Sequence, residues 1–185
     1  MLRPYQADDV DRFAAEFSTE EGVTSTQWFG FTAGLPAAKI EFAETGFLTP
    51  DWGRLVVEAD AEWAGRVAWW KHQWGPAESW CWQFGILIRE AVRGRGVGTS
   101  AQRLLAEYLF AHTRAHRIEA YTDISNAAEQ RALEKAAFTR EGIIRACQWR
   151  GGMWHDQVMY SRLRDDLAAV TTDRSEEPGR NPRPS

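Results

Sequence analysis

The 185 residues predict an α+β fold, a mixed and mostly antiparallel sheet with helices on both faces. Three observations carry that expectation. Two pairs of strand-like runs, 54–58 with 63–71 and 143–149 with 154–163, are joined by short turns and read as hairpins. Between them come a strand over 80–88, a glycine-rich loop, a helix over 99–113 and a strand over 118–123. That order is one right-handed crossover, and it places a parallel pair inside the antiparallel sheet.

Taken in order, Leu2 to Tyr5 is a short strand, and Val10, Phe13, Ala14 and Phe17 recur at helical spacing behind Asp8 or Asp9 as cap. Residues 18–50 carry a weaker pattern. Pro36 to Thr45 predicts a second helix with Ala37, Ile40 and Phe42 as its apolar positions, ended by Gly46. The first hairpin turns at Ala59-Asp60-Ala61-Glu62, and Gly75-Pro76 breaks the chain before the strand over 80–88. Ala101, Leu104, Leu105, Tyr108, Leu109 and His112 mark one face of the helix over 99–113. A helix over 126–137 follows, and the last hairpin turns at Arg150-Gly151-Gly152-Met153.

With 44% apolar and 26% charged residues, the composition is that of one domain with a full core, expected over 1–165. After Asp165 large apolar residues are too scarce to offset ordering entropy, so 166–185 is expected to be a disordered tail. The N-terminus lacks the features of a signal peptide and no apolar run reaches membrane-spanning length, which predicts a cytoplasmic protein without a membrane partner. Cys81 and Cys147 carry neither metal-ligand spacing nor a disulfide framework, and no metal is expected. A net charge of −4 argues against broad nucleic-acid binding. Ten tryptophans, most of them upstream of the glycine loop, point to the first half of the chain as the part that sets specificity.

The glycine loop is Arg93-Gly94-Arg95-Gly96-Val97-Gly98-Thr99, at the handover from strand to helix. Glycine lets the backbone approach phosphate oxygens, and the free N–H groups and positive dipole end of a helix N-terminus point at an anion. Arg93 and Arg95 add charge-assisted donors. A dinucleotide fingerprint fails at Thr99, where a third glycine is needed, and a P-loop fails because no lysine follows Gly98. Arg93, Gly96 and Gly98 do satisfy R-x-x-G-x-G.

That spacing resembles the coenzyme A pyrophosphate loop of the GNAT superfamily of N-acetyltransferases, and the flanking sequence is similar to the same superfamily over roughly 1–165. Leu2-Arg3-Pro4-Tyr5 before Asp8-Asp9 looks like its first strand and helix start. Phe84-Gly85-Ile86-Leu87-Ile88 looks like its splayed fourth strand. Asn126 through Phe138 resembles the N-x-x-S-x-x-x-L-E-K-x-G-F segment of the RimJ/RimL-type branch, and Trp154-His155-Asp156 through Tyr160-Ser161 resembles that branch's last strand. The resemblance implies a GNAT-like sheet whose one parallel pair splays apart, acetyl-CoA as acyl donor, and pantetheine paired with the backbone of Ile86, Leu87 and Ile88. It further implies an oxyanion donor at the N–H of Ile86 and a pantetheine or thioester contact at Asn126.

Acyl transfer to an amine needs a free amine, an oxyanion donor and a proton for the departing thiolate. The family's frequent tyrosine acid is replaced here by Leu133, and the branch's serine by Glu129. Glu129 can serve as acid only if burial raises its pKa, and Asn126 with Glu129 also has the spacing of a capping box. Asp123, Glu119, His72, Glu78 and Glu58 are the candidate bases, with Asp123 nearest the splay. Ala137 stands where the family has glycine. Trp28, Trp69, Trp74, Trp80 and Trp82, with Trp70, are candidates for an acceptor pocket, although large aromatics also fill cores.

The leading expectation is an acetyl-CoA-dependent N-acetyltransferase acting on the primary amine of a small metabolite or antibiotic-like compound. The alternatives are acetylation of a protein N-terminus, a GNAT using another donor such as aminoacyl-tRNA, and a noncatalytic acyl-CoA-binding module. A homodimer is compatible with the sequence.

Overall fold

The computed structural model describes residues 1–17, 26–30, 34–76 and 78–166. Its elements are β1 (Leu2–Arg3), α1 (Ala7–Phe17), α2 (Leu35–Thr45), β2 (Trp52–Ala59), β3 (Glu62–Gln73), β4 (Trp80–Ile88), α3 (Val97–His112), β5 (Arg117–Asp123), α4 (Ala127–Lys135), β6 (Thr139–Arg150) and β7 (Met153–Leu163). A short 3-10 turn over Glu90–Val92 joins β4 to the glycine loop. The strands form one sheet in the order β1-β2-β3-β4-β5-β7-β6. All neighbours are antiparallel except β4 and β5, as the crossover requires. The tail expected to be disordered falls outside the described residues, apart from Asp166. No helix among the described residues is long and apolar enough to cross a membrane.

Strand alternation assigns the side chains to two cores. On one face, here called the front, α1 and α2 cover a cluster of Tyr5, Val10, Phe17, Phe47, Val56 and Trp63. The back carries α3 and α4 over a larger cluster that includes Trp69, Trp82, Phe84, Leu105, Ile118 and Leu133. Gly53 is required beside this core, because a Cβ there would stand 2.2 Å from a ring carbon of Trp69.

Two expectations are corrected. The buried stripe of α3 is Ala101, Gln102, Leu105, Ala106, Leu109 and Phe110, while Leu104 and Tyr108 are exposed, so the helix is rotated from the face that hydrophobicity alone suggests. The strand β6 starts at Thr139 rather than 143, because pairing with Tyr160 and Ser161 of β7 satisfies a polar stretch with no apolar alternation.

Candidate active site

Pairing between β4 and β5 runs only through Trp82↔Ile118, Gln83↔Glu119 and Phe84↔Ala120. Beyond Phe84 the two strands part, while β4 stays paired with β3 as far as Ile88↔Gly65, so one edge of Gly85–Ile88 faces a gap. Side chains from outside the sheet hold two carbonyls of that edge. Gln27 Nε2 donates to Ile86 O at 2.8 Å and Arg93 Nε donates to Ile88 O at 2.9 Å. The N–H and C=O of one strand residue point the same way, so the N–H of Ile86 faces the gap too.

The glycine loop lies where β4 hands over to α3. Gly94 at φ 74° and Gly96 at φ 78° take left-handed conformations that side chains with a Cβ disfavour. Gly96 is the N-cap of α3, no side chain among the described residues bonds the helix's first N–H groups, and the first intrahelical bond runs from Ser100 N to Gly96 O. Val97, Gly98 and Thr99 therefore follow an uncapped start, and Gly98 backs onto Ile88, whose Cγ1 would be 3.8 Å from an added Cβ. Arg93, Gly94, Arg95 and Gly96 are exposed, and Arg95 meets Asp60 at 2.6 Å across the surface. Backbone donors, a positive helix end and two guanidinium groups fit a diphosphate.

Across the gap, α4 begins at the end of β5. Asn126 Oδ1 accepts the N–H of Glu129 at 3.2 Å, which is half of a capping box. The other half does not form. Asn126 N donates to Asp123 O, and the Glu129 carboxyl turns to Gln102 Nε2 of α3 at 2.7 Å, bridging the two helices beside the gap. Burial pushes the Glu129 carboxyl up to about 8, so at neutral pH it holds a proton. Among the described residues Gln102 Oε1 is buried without a partner. Leu133 is fully buried and belongs to the core.

Asp123 is not a free base. Arg150 Nη2 donates to its Oδ2 at 2.6 Å, and the Ser125 N–H and hydroxyl donate to its Oδ1, which together hold the buried carboxyl below the ordinary range against the cost of burial. The same guanidinium donates to Thr26 O at 3.1 Å. Thr26 to Gly30 is thus tied to β6 and β5 through Arg150 and to β4 through Gln27, and it spans the gap on the front. Asp123 acts through Arg150 as an anchor for that span.

A cavity of about 840 Å³ opens on the front, bounded by α1, α2, the span and β2 to β4, and its wall includes Gly85, Ile86 and Leu87. Trp28 and Trp70 line it together with Phe13 and Phe17. The other expected acceptor indoles lie elsewhere. Trp69 and Trp82 are buried in the back core, and Trp82 Nε1 donates to Thr113 Oγ1 at 3.1 Å. Trp80 packs edge-on against Trp82 with ring centroids 5.3 Å apart. Trp74 is exposed and its Nε1 donates to Glu119 Oε1 at 2.7 Å. The reason is parity: residues 80, 82 and 84 share a strand face, and that face is the back.

The remaining base candidates are also engaged or distant. Glu119 is fully buried on the front side of β5 under Trp74, Tyr121, His72 and Arg117, whose hydrogen bonds outweigh burial and keep the carboxyl low. His72 Nδ1 lies 3.2 Å from Glu119 Oε2 and 3.9 Å from Cys81 Sγ, so both neighbours meet one ring nitrogen and no relay passes through the imidazole. Burial pushes the Cys81 thiol up to about 12. Glu58 accepts from Arg3 at 2.8 Å, and Glu78 is exposed. Neither lines the cavity. His155 belongs to the Arg150 cluster, with Nδ1 3.2 Å from Arg150 Nη2.

Sequence reasoning missed Gln27, Arg66 and Arg150. Gln27 and Arg150 leave no local signal because their partners are 59 and 124 residues away. Arg66 had one, a charge between apolar neighbours in a strand.

Residues 1–139 match the family model described as acetyltransferase (GNAT) domain. YjcK of Bacillus subtilis (strain 168), named a probable N-acetyltransferase, is 38% identical over 82 residues, which is 44% of this chain and 45% of that relative. YdaF of the same organism, provisionally named a ribosomal N-acetyltransferase, is 26% identical over 172 residues, covering 88% of this chain and 90% of YdaF. Among solved structures, Mycobacterium smegmatis RimJ in complex with CoA-disulfide superposes with a TM-score of 0.75 at 18% identity, covering 94% of this chain and 88% of RimJ. Spermidine N-acetyltransferase from Vibrio cholerae in complex with CoA and spermine gives a TM-score of 0.76 at 15% identity, covering 91% and 97%. With the splayed pair, the uncapped glycine loop and a family match over most of its length, the chain belongs to the GNAT family of acetyltransferases.

Proposed function

We propose that the protein transfers an acetyl group from acetyl-CoA to the primary amine of a small molecule held in the front cavity. The observation that carries this reading is continuity: the cavity wall includes Gly85, Ile86 and Leu87, the stretch of β4 that β5 leaves unpaired. Donor and acceptor then meet from opposite sides of one gap.

In this reading acetyl-CoA supplies the thioester. The N–H groups after Gly96, with Arg93 and Arg95, hold the diphosphate. The edge of Ile86 and Ile88 that β5 leaves unpaired aligns the pantetheine, which competes with Gln27 and Arg93 for the two carbonyls, and the Ile86 N–H receives the thioester carbonyl oxygen as negative charge develops on it. Asn126 orders the first turn of α4 and borders the thioester. Glu129 protonates the departing thiolate, and its elevated pKa makes that possible at neutral pH. Because Asp123 and Glu119 are held as ion-paired carboxylates, the ammonium loses its proton to water at the open side of the cavity.

Calorimetric titration with acetyl-CoA, followed by thiol release over a panel of primary amines, tests the reading; no binding at millimolar donor ends it. For amines that titrate above Glu129, as alkylamines do at about 10, the pH profile should stop rising near 8, where Glu129 loses its proton, and should fall only above the pKa of the acceptor amine. Glu129→Gln should remove the break near 8 and lower kcat by about 10²-fold.

A second reading is acetylation of a protein N-terminus, favoured by the full-length similarity to YdaF and the fold of RimJ. Turnover of peptides with free N-termini but not of small amines would select it.

A further inference from the structure

Arg66 is a cation in the wall of the front cavity that no carboxylate pairs with. It sits on β3 between Val56 of β2 and Leu87 of β4. Its guanidinium lies over the Phe13 ring at 4.1 Å from the centroid, and among the described residues it makes neither a hydrogen bond nor an ion pair. The nearby carboxylate of Glu41 is already taken by Arg54 at 2.8 Å. Tyr5 lines the same cavity. Burial pushes the Arg66 guanidinium down to about 10, and Arg54 adds repulsion.

A half-buried guanidinium without a directly paired carboxylate among the described residues is less favourable in the free protein than a salt-bridged one, and arginine is a poor candidate for relief by deprotonation at neutral pH. The Phe13 ring satisfies one π-face only, leaving the in-plane N–H fork, which matches a carboxylate in two-point geometry. The rest of the cavity wall is mainly aromatic and aliphatic, with Gln27, Glu41, Glu44 and Arg54 as its other polar side chains. The cross-strand partner of Arg66 is Leu87, next to Ile86, so its backbone stands beside the strand segment that would hold the thioester and its side chain lines the same cavity as that segment. That proximity suits a molecule whose amine and anion are only a few bonds apart.

We infer that the acceptor is an amino acid-like molecule, an apolar or aromatic body carrying a primary amine and a carboxylate that Arg66 binds. This rests on the small-molecule reading above. In the transfer, the amine nitrogen forms the new C–N bond, the thioester C–S bond breaks, CoA leaves as the thiol, and the amine gives up one proton. Polyamines such as the spermine bound by the Vibrio cholerae enzyme would meet repulsion from Arg66.

The test has two arms on the full chain. In the first, 3-phenylpropanoate, an anion without an amine, is titrated calorimetrically into wild type and Arg66→Met. Wild type should bind it at least about tenfold more tightly than the variant. Arg66→Met should melt at the same temperature or higher, because an apolar side chain replaces an unpaired charge. Lower melting together with unchanged binding would make Arg66 a structural residue, and absent or equal binding overturns the inference. In the second arm, thiol release is compared for phenylalanine, tryptophan and leucine against their amides. The acids should be preferred about tenfold by wild type and not by Arg66→Met. Turnover without that preference overturns the inference and leaves the small-molecule reading standing. Arg66-dependent binding with no turnover of any small amine leaves the anion site standing and overturns the acceptor reading.

Discussion

The back and the front of the sheet do different chemical work with different parts of the chain. Behind the gap, the groups proposed to hold the donor are mainly backbone: N–H groups after Gly96, the free edge of β4 and the first turn of α4. They come from two short stretches, the end of β4 through the start of α3 and the start of α4, and rest on a core of α3 and α4 packed under Trp82 and Phe84. In front, the cavity is made by side chains from α1, α2, three strands and the span over 26–30, held together by Gln27, Arg150 and Asp123. A backbone site tolerates changes of side chain and fixes the donor. A side-chain site changes with single substitutions and selects the acceptor.

The sharpest way to break this contrast is to exchange the roles of two tryptophans. Trp82→Ala should cost about 3–5 kcal/mol of stability, as removal of a buried indole does, because Trp82 belongs to the back core. Trp70→Ala, at an exposed indole lining the cavity, should cost less than about 1 kcal/mol and instead raise KM for the acceptor. Denaturant unfolding and acceptor kinetics measure both, and equal stability losses would contradict the assignment of faces.

Asp123→Ala leaves Arg150 as an unpaired buried cation and should destabilise the protein by about 3 kcal/mol. Were Asp123 instead the base, kcat would collapse while the melting temperature held. Its linkage to pH has a definite sign: a carboxylate held below its ordinary pKa contributes stability above that value and loses it as pH falls. Acid titration of stability in wild type and Asp123→Asn should differ above about pH 4 and converge as pH falls below it.

The smallest effect concerns the exit of α4. Ala137 has φ 65°, the left-handed conformation glycine adopts without penalty, so Ala137→Gly should stabilise by about 1 kcal/mol and leave kinetics unchanged. A loss of stability would mean that the Ala137 side chain repays its strain.

These contrasts also explain what could be read from the chain beforehand. The order of strands and helices, the crossover and the glycine loop follow from local periodicity and from residues such as Gly94 and Gly96, whose backbone angles are required where they stand. The front site was hidden for two reasons. Period-two alternation tells which of Trp69, Trp70, Trp80 and Trp82 share a face but not which face is the cavity, because helices cover both sides. The clamp from Asp123 through Arg150 to Thr26 joins residues that only the folded sheet brings together, so Asp123 looked like a free carboxylate at the splay. Glu129 shows the opposite case. Its proposed role as acid depends on burial, which spacing could not show and which raises the carboxyl against the lowering effect of the hydrogen bond from Gln102.

The measurement closest to the central claim is amide hydrogen exchange with and without acetyl-CoA, read residue by residue. Donor binding through the backbone predicts slowed exchange at Ile86, at Ile88 and across Val97–Thr99, with β6 and β7 unaffected. Tight binding of acetyl-CoA with unchanged exchange at Ile86 and at Val97–Thr99 would contradict it.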